Sequence, residues 1–172
     1  HNGLWGTADS GRTVVYAESL TEAGFAAALA NRRVYATEDS DLEIIYKLEG
    51  HLLGTMLHRR NVGNTVTLTA TISDATDGAV GKVEVIVDGG EVAETAEAAG
   101  EVSFTLPASY RYYYLRLTQP DGDIAVTAPV WIEQRQTMRI TNFTTDTQLA
   151  VKGKPIRVQV TIQNREADPL MV

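Results

Sequence analysis

The side chains best able to do chemistry in this sequence are few and widely spaced. There are three histidines (His1, His51 and His58) and no cysteine. His51 and His58 stand seven residues apart. A zinc site built on them needs a third protein ligand, and nothing at a workable spacing supplies one. They read as turn or surface residues. Without cysteine there is no thiolate nucleophile, no thiolate-bound zinc and no disulfide. Glu38, Asp39, Asp41 and Glu43 form an acidic run. Acid–base catalysis would need them in a cleft that shifts their pKa values, so a solvated loop entering a strand is the expectation. Asp74-Ala75-Thr76-Asp77-Gly78 and Asp121-Gly122-Asp123 share the composition of calcium loops. Both lack the later ligands and distal glutamate of an EF-hand, and tight turns account for them.

Ser10 and Ser19 have no neighbouring His and Asp, and no Gly-x-Ser-x-Gly elbow occurs. Arg32, Arg33, Arg59 and Arg60 could hold a phosphate bidentately, but a helix end and a hairpin surface account for them without a ligand. Tyr110, Tyr112, Tyr113 and Tyr114 invite a sugar-platform reading. Alternation on a strand instead puts Tyr113 on one face, with Tyr112 and Tyr114 on the other. No catalytic or cofactor-binding residue is expected within the chain.

The elements that must position these residues are mostly strands. Arg12–Ala17 is β-branched and aromatic. Glu22–Arg33 reads as a helix, with Ser19 or Thr21 as its cap and the arginine pair in its last turn. From Asp41 the apolar period becomes two. Leu42, Ile44, Tyr46 and Leu48 alternate with Glu43, Ile45 and Lys47, and Leu52–Leu57 is the partner or the continuation of that strand. Thr65–Ser73 alternates cleanly, with Val66, Leu68, Ala70 and Ile72 on one face. Lys82–Asp88, Glu101–Leu106, Arg111–Thr118 and Ile124–Ile132 follow. Pro120-Asp121-Gly122-Asp123 makes a hairpin turn, and Pro129 places an edge or a bulge in the last strand. About seven short strands with regular turns predict an immunoglobulin-like antiparallel β-sandwich over residues 41–133. Residues 1–40 form a separate strand–helix segment. Residues 134–172 hold two more strands, read as the start of a further sandwich or as strands added to the first. No methionine opens the chain and Gly3 to Gly6 reads as the middle of a loop, so the chain reads as a segment of a larger protein.

Bulk properties narrow the function classes. The chain has 172 residues, 44% of them hydrophobic, and a net charge of −7. That charge argues against binding nucleic acid, whose affinity comes mainly from basic residues facing phosphates. No apolar run has the length of a membrane helix. An exported or cell-surface bacterial protein fits the absence of cysteine, and so does a cytosolic one.

Several stretches, in order, resemble the C-terminal region of bacterial PHP-type (polymerase and histidinol phosphatase) metal-dependent phosphoesterases with an attached immunoglobulin-like β-domain. These are His1 with Trp5-Gly6, Gly11-Arg12-Thr13-Val14-Val15, Leu20-Thr21, Arg32-Arg33-Val34-Tyr35-Ala36-Thr37, and Leu48-Glu49-Gly50 with Leu53-Gly54. Tyr113-Tyr114-Leu115-Arg116-Leu117 and Ala128-Pro129-Val130-Trp131-Ile132 resemble the closing strands of that β-domain. The resemblance covers residues 2–133. It implies that 1–40 trails a metal-binding barrel and that the barrel is the partner of this chain. It implies divalent metals (manganese, zinc or iron) in the parent, and that His1 matches the last histidine of an Asp-x-His ligand pair. A two-metal hydrolase needs its full ligand set, so this chain alone is expected to be an inactive accessory β-module. The other reading is a binding or structural sandwich of an exported protein. Residues 156–162, as an open strand edge, make a homodimer a further expectation.

Overall fold

A computed structural model of the chain describes residues 11–75, 80–133, 138–146 and 152–164. The chain divides into two compact units, His1–Glu133 and Gln134–Val172.

The first unit runs β1 (Arg12–Val15), α1 (Glu22–Ala30), β2 (Val34–Thr37), β3 (Glu43–Leu48), β4 (His51–Leu52), β5 (Met56–Leu57), β6 (Thr65–Ser73), β7 (Val80–Ile86), β8 (Val92–Ala99), β9 (Glu101–Pro107), β10 (Tyr112–Thr118), β11 (Ile124–Thr127) and β12 (Val130–Ile132). Two sheets result. One has the order β4-β3-β6-β9, and the other joins β1-β2-β11-β10-β12-β5 with β7 and β8 beyond β10. The arrangement β3-β6-β9 against β8-β7-β10-β11 is that of an immunoglobulin-like sandwich, A-B-E facing C′-C-F-G.

Alternation decides which residues face the core. In β6 every second residue is buried and the threonines stand outside. Ile44, Tyr46 and Leu48 on β3, with Leu106 on β9, complete that inner face. Val83, Val85, Tyr113, Leu115, Leu117, Val130 and Ile132 line the opposite one. Each such side chain removed from water contributes roughly 1.5–3 kcal/mol. Two tyrosines tie the layers together through hydroxyls that the core would otherwise leave unpaired. Tyr46 donates to the Tyr113 carbonyl at 2.8 Å, and Tyr113 donates to the Pro107 carbonyl. The second contact has the form of the tyrosine corner of such sandwiches.

Several local expectations need correction. The helix stops at Ala30, before the arginine pair. Its cap is Thr21, whose hydroxyl accepts from the Gly24 N–H at 3.1 Å. Arg32 takes φ +56, a left-handed turn that reverses the chain into β2. Strand β2 is also unforeseen: Ala125–Thr127 of β11 pairs with it, and β1 pairs with β2 in turn. The 12–37 segment therefore shares a sheet with the sandwich. Strand β8 runs against local preference, because Ala and Glu in Val92–Ala99 favour helix. Pairing along β7, from Val80↔Ala99 to Ile86↔Val92, overrides that preference. Leu52–Leu57 is neither one partner nor one continuation. Its first part pairs with β3, and its second runs parallel to β12.

Pro129 divides the final strand, as its missing N–H predicts. The β11 half takes β2 as neighbour and the β12 half takes β5. The hairpin before it closes at Pro120–Asp123, where Gly122 adopts φ +101 and the Gln119 N–H bonds the Asp123 carbonyl at 2.9 Å.

Among its described residues the second unit holds an antiparallel strand pair, β13 (Met138–Thr145) and β14 (Val158–Asn164), with a register shift between Ile140 and Asn142. Ile140, Phe143, Val158, Val160 and Ile162 are exposed on it.

Candidate functional site

Two places in the first unit hold more than packing requires. The first is a polar pole fed by three chain segments: the loop from β2 to β3, the exit of β6 and the exit of β10. Thr37 ends β2 and its hydroxyl accepts from the Asp39 N–H at 3.0 Å. Asp39 in turn accepts from the Asp41 N–H at 2.8 Å. These turns draw Asp39 inward until it is 8% exposed, contrary to the solvated loop expected. Gln119, pinned by the hairpin after β10, donates its amide N–H groups to Asp39 Oδ2 at 2.9 Å and to Asp74 Oδ2 at 2.7 Å. The backbone N–H of Asp41 and then the Gln119 amide hold the Asp39 carboxyl well down, at about 2. Carboxylate oxygens of Asp39, Asp41 and Asp74 lie within 4.8 Å of one another. Asp39 and Asp74, distant in sequence, thus share one buried amide, with the Asp41 carboxylate close by.

The rest of the acidic run points elsewhere. Glu38 bonds the end of β11, its carboxylate accepting from the Ile124 N–H at 3.0 Å, and Glu43 lies exposed on β3. The Asp39-x-Asp41 spacing was visible in the sequence. Asp74 and Gln119 as their companions were not, because they stand 35 and 80 residues from Asp39.

The second place is the opening strand–helix element. Ala28 is the buried residue of α1. Phe25 and Leu29, four apart and so on one helical face, are 51% and 46% exposed, and Leu20 just before the helix is fully exposed. Between α1 and the connection that leads into it from β1 lies a cleft of about 270 Å³ lined by residues including Tyr16, Ser19, Asn31 and Arg33. Arg33 pairs with Glu18 at its rim, at 3.5 Å.

The element is fastened to the sandwich at the helix exit. Arg32 donates to the Gly54 carbonyl at 3.2 Å and lays its guanidinium 5.3 Å from the centre of the Trp131 ring, a cation–π contact. Gly54 takes φ +84, and a Cβ there would meet the Asn31 carbonyl oxygen at 2.3 Å. Tyr16 and Tyr35 meet with ring centres 5.8 Å apart, and their hydroxyls donate to the Ile44 and Leu42 carbonyls. Burial pushes both phenols up.

Several of the remaining candidates make local structural contacts. His58 meets Glu133 at 2.6 Å on the surface, and His51 is exposed on β4. His1 and Ser10 lie outside the described residues. Arg59 closes its own loop through the Val62 and Gly63 carbonyls at 2.7 and 2.9 Å. Tyr113 is buried, while Tyr112 and Tyr114 stack at 6.2 Å on the other face, as alternation predicts. The Tyr112 hydroxyl accepts from the Gly89 N–H at 3.0 Å. Beside that stack, Glu84 bridges Lys82 and Arg116 at 2.6 and 2.7 Å. Arg116 and then Lys82 hold its carboxyl below the ordinary range. None of the described helices is long and apolar enough to cross a membrane.

Residues 59–130 match the bacterial Ig domain family. The match begins at the turn before β6, whereas the sandwich also needs β3, whose Ile44, Tyr46 and Leu48 fill the core. No curated protein and no solved structure matches the chain.

Proposed function

We propose that this chain is an accessory immunoglobulin-like module of a bacterial protein, and that its opening strand–helix element is the face presented to a neighbouring domain. One observation carries the reading: Leu20, Phe25 and Leu29 stand in solvent beside a helix that buries only Ala28. Phe25 and Leu29 share one helical face, and exposed apolar residues grouped on a surface mark an interaction site. On the resemblance of residues 2–133, the neighbour is a PHP-type barrel that hydrolyses a phosphoester. Its divalent metals, manganese, zinc or iron, would activate water and clamp the reacting oxygens. His1 is the residue this chain would offer to that metal set. The sandwich would support the barrel edge and take no part in bond breaking.

The test is a phosphoester assay with manganese. The protein of the complete reading frame is expected to turn over, and these 172 residues alone are not. Turnover by the isolated chain, or a complete reading frame with no His-x-His and acidic ligand series, would end the proposal.

A second reading draws on the second unit. Two strands cannot bury an apolar face between themselves, yet β13 and β14 expose Ile140, Phe143, Val160 and Ile162. Sandwiches in series on an exported protein would cover such a face with further strands. A homodimer pairing through β14 would instead extend the sheet at its open edge, and sedimentation at several concentrations distinguishes these cases. Further sandwiches encoded before His1 would favour the serial array over the barrel.

A further inference from the structure

We propose that β13 and β14 are the first two strands of a second sandwich built like the first. Their apolar face docks against a facing sheet formed by strands of the same polypeptide beyond the described residues. The inference rests on the further-sandwich reading above, and it holds whether a barrel or more sandwiches precede His1. Its ground is a repeat. Val66, Leu68, Ala70 and Ile72 of β6 have counterparts in Ile156, Val158, Val160 and Ile162, each 90 residues further on. Gly63 and Gly153, ahead of the two runs, are separated by the same distance. The cross-strand partners repeat as well. Between β3 and β6, Ile44 pairs with Ile72, Tyr46 with Ala70 and Leu48 with Leu68. Between β13 and β14, Ile140 pairs with Ile162, Phe143 with Val160 and Thr145 with Val158. Both sets run in one order: two isoleucines, then an aromatic ring against a smaller apolar residue.

The register shift after Ile140 preserves that order. Under strict alternation Asn142 would share the face of Ile140. One extra residue in β13 puts Phe143 there instead. The opposite face carries polar pairs, Asn142 with Thr161 and Thr144 with Gln159. A ribbon sorted in this way has one side to bury. In the first unit the other sheet covers that side: Ile44, Tyr46, Leu68 and Ile72 are buried in one cluster with residues of β7, β10 and β12. Their counterparts Ile140, Phe143, Val158 and Ile162 are 50% to 64% exposed. Strand β6 also has both β3 and β9 as neighbours, whereas among the described residues β14 has β13 alone. A second copy stacked face to face is too small a cover. It would meet a handful of apolar side chains, where a stable interface takes about 20–30 residues a side.

The experiment is amide hydrogen exchange on the protein of the complete reading frame and on the 172-residue chain, with β6 as the internal control. Amides of β14 are expected to exchange at least about 100-fold more slowly in the complete protein. There, Val160→Asp places a charge on a covered face and should speed β14 exchange about tenfold or more, leaving β6 unchanged. Gln159→Asp, on the polar face, should change it less than about twofold. If Val160→Asp does not express, Val160→Ala should give a smaller rise confined to the same strand. Equal exchange of β14 in the two proteins would overturn the proposal, as would equal effects of the Val160 and Gln159 variants. A 172-residue chain that sediments as a dimer, and that Val160→Asp returns to monomer, would make a second copy the occupant and overturn it too. A reading frame with no sandwich before His1 removes the serial array alone, so the two failures are distinguishable.

Discussion

Strand β6 and helix α1 are both rich in apolar residues, and the chain treats them in opposite ways. In β6 the period of two meets a second sheet, so Val66, Leu68, Ala70 and Ile72 are all buried. In α1 the alanines and Phe25 and Leu29 face several directions, and Ala28 alone is buried. A sandwich face is closed by its own chain because antiparallel neighbours come with short connections. One short helix covers little, and its outer side needs something else. The difference separates what makes this protein fold from what it offers to another surface.

The sharpest way to break the comparison is inside the sandwich. Leu68 is fully buried between the sheets. Leu68→Ala should cost about 2–5 kcal/mol from lost transfer energy and the cavity left behind, read as a lower urea midpoint. A near-neutral result would mean that the layers are not packed as described. The joint between the two regions comes next. Gly54→Ala puts a methyl group against the Asn31 and Arg32 carbonyls and strains φ +84. A loss of about 2 kcal/mol or more is expected, together with easier proteolysis near α1.

Glu84 gives a smaller, pH-dependent effect. Its folded carboxyl is held below the ordinary value of 4.5 by Arg116 and Lys82. A depressed pKa contributes stability that is present above the unfolded value and lost as pH falls through the folded one. Glu84→Gln should therefore lose about 1–2 kcal/mol at neutral pH. That gap should narrow steadily as melts are taken below about pH 4.5. The smallest effect belongs to the helix. Phe25→Asp with Leu29→Asp should change the stability of the isolated chain by no more than about 0.5 kcal/mol, as for surface positions generally. In the protein of the complete reading frame the same pair should lower the melting temperature clearly. Equal effects in both would remove the neighbouring domain from the account.

Much of this was legible in the residues. Alternation in Thr65–Ser73 and Arg111–Thr118 set which side chains are buried, down to Tyr113 inside and Tyr112 with Tyr114 outside. Pro129 marked its own break. Strand β8 was not legible, because its alanines and glutamates carry helical preference and only pairing with β7 makes them extended. Nor was Arg32, whose spacing from the helix looked like a charge at a dipole end. It turned out to cap a left-handed turn against Gly54 and Trp131.

By itself, then, the sequence determined the β-sandwich, its inner and outer faces and its principal turns, because a period of two is a local property that burial reads directly. Only the tertiary structure decided that β1 and β2 extend the sandwich sheet, and that Asp39, Asp41, Asp74 and Gln119 meet. Those residues come from three separate segments, and no periodicity records which strand ends fold to the same pole. That is settled by sheet order and register, which depend on packing across the whole unit.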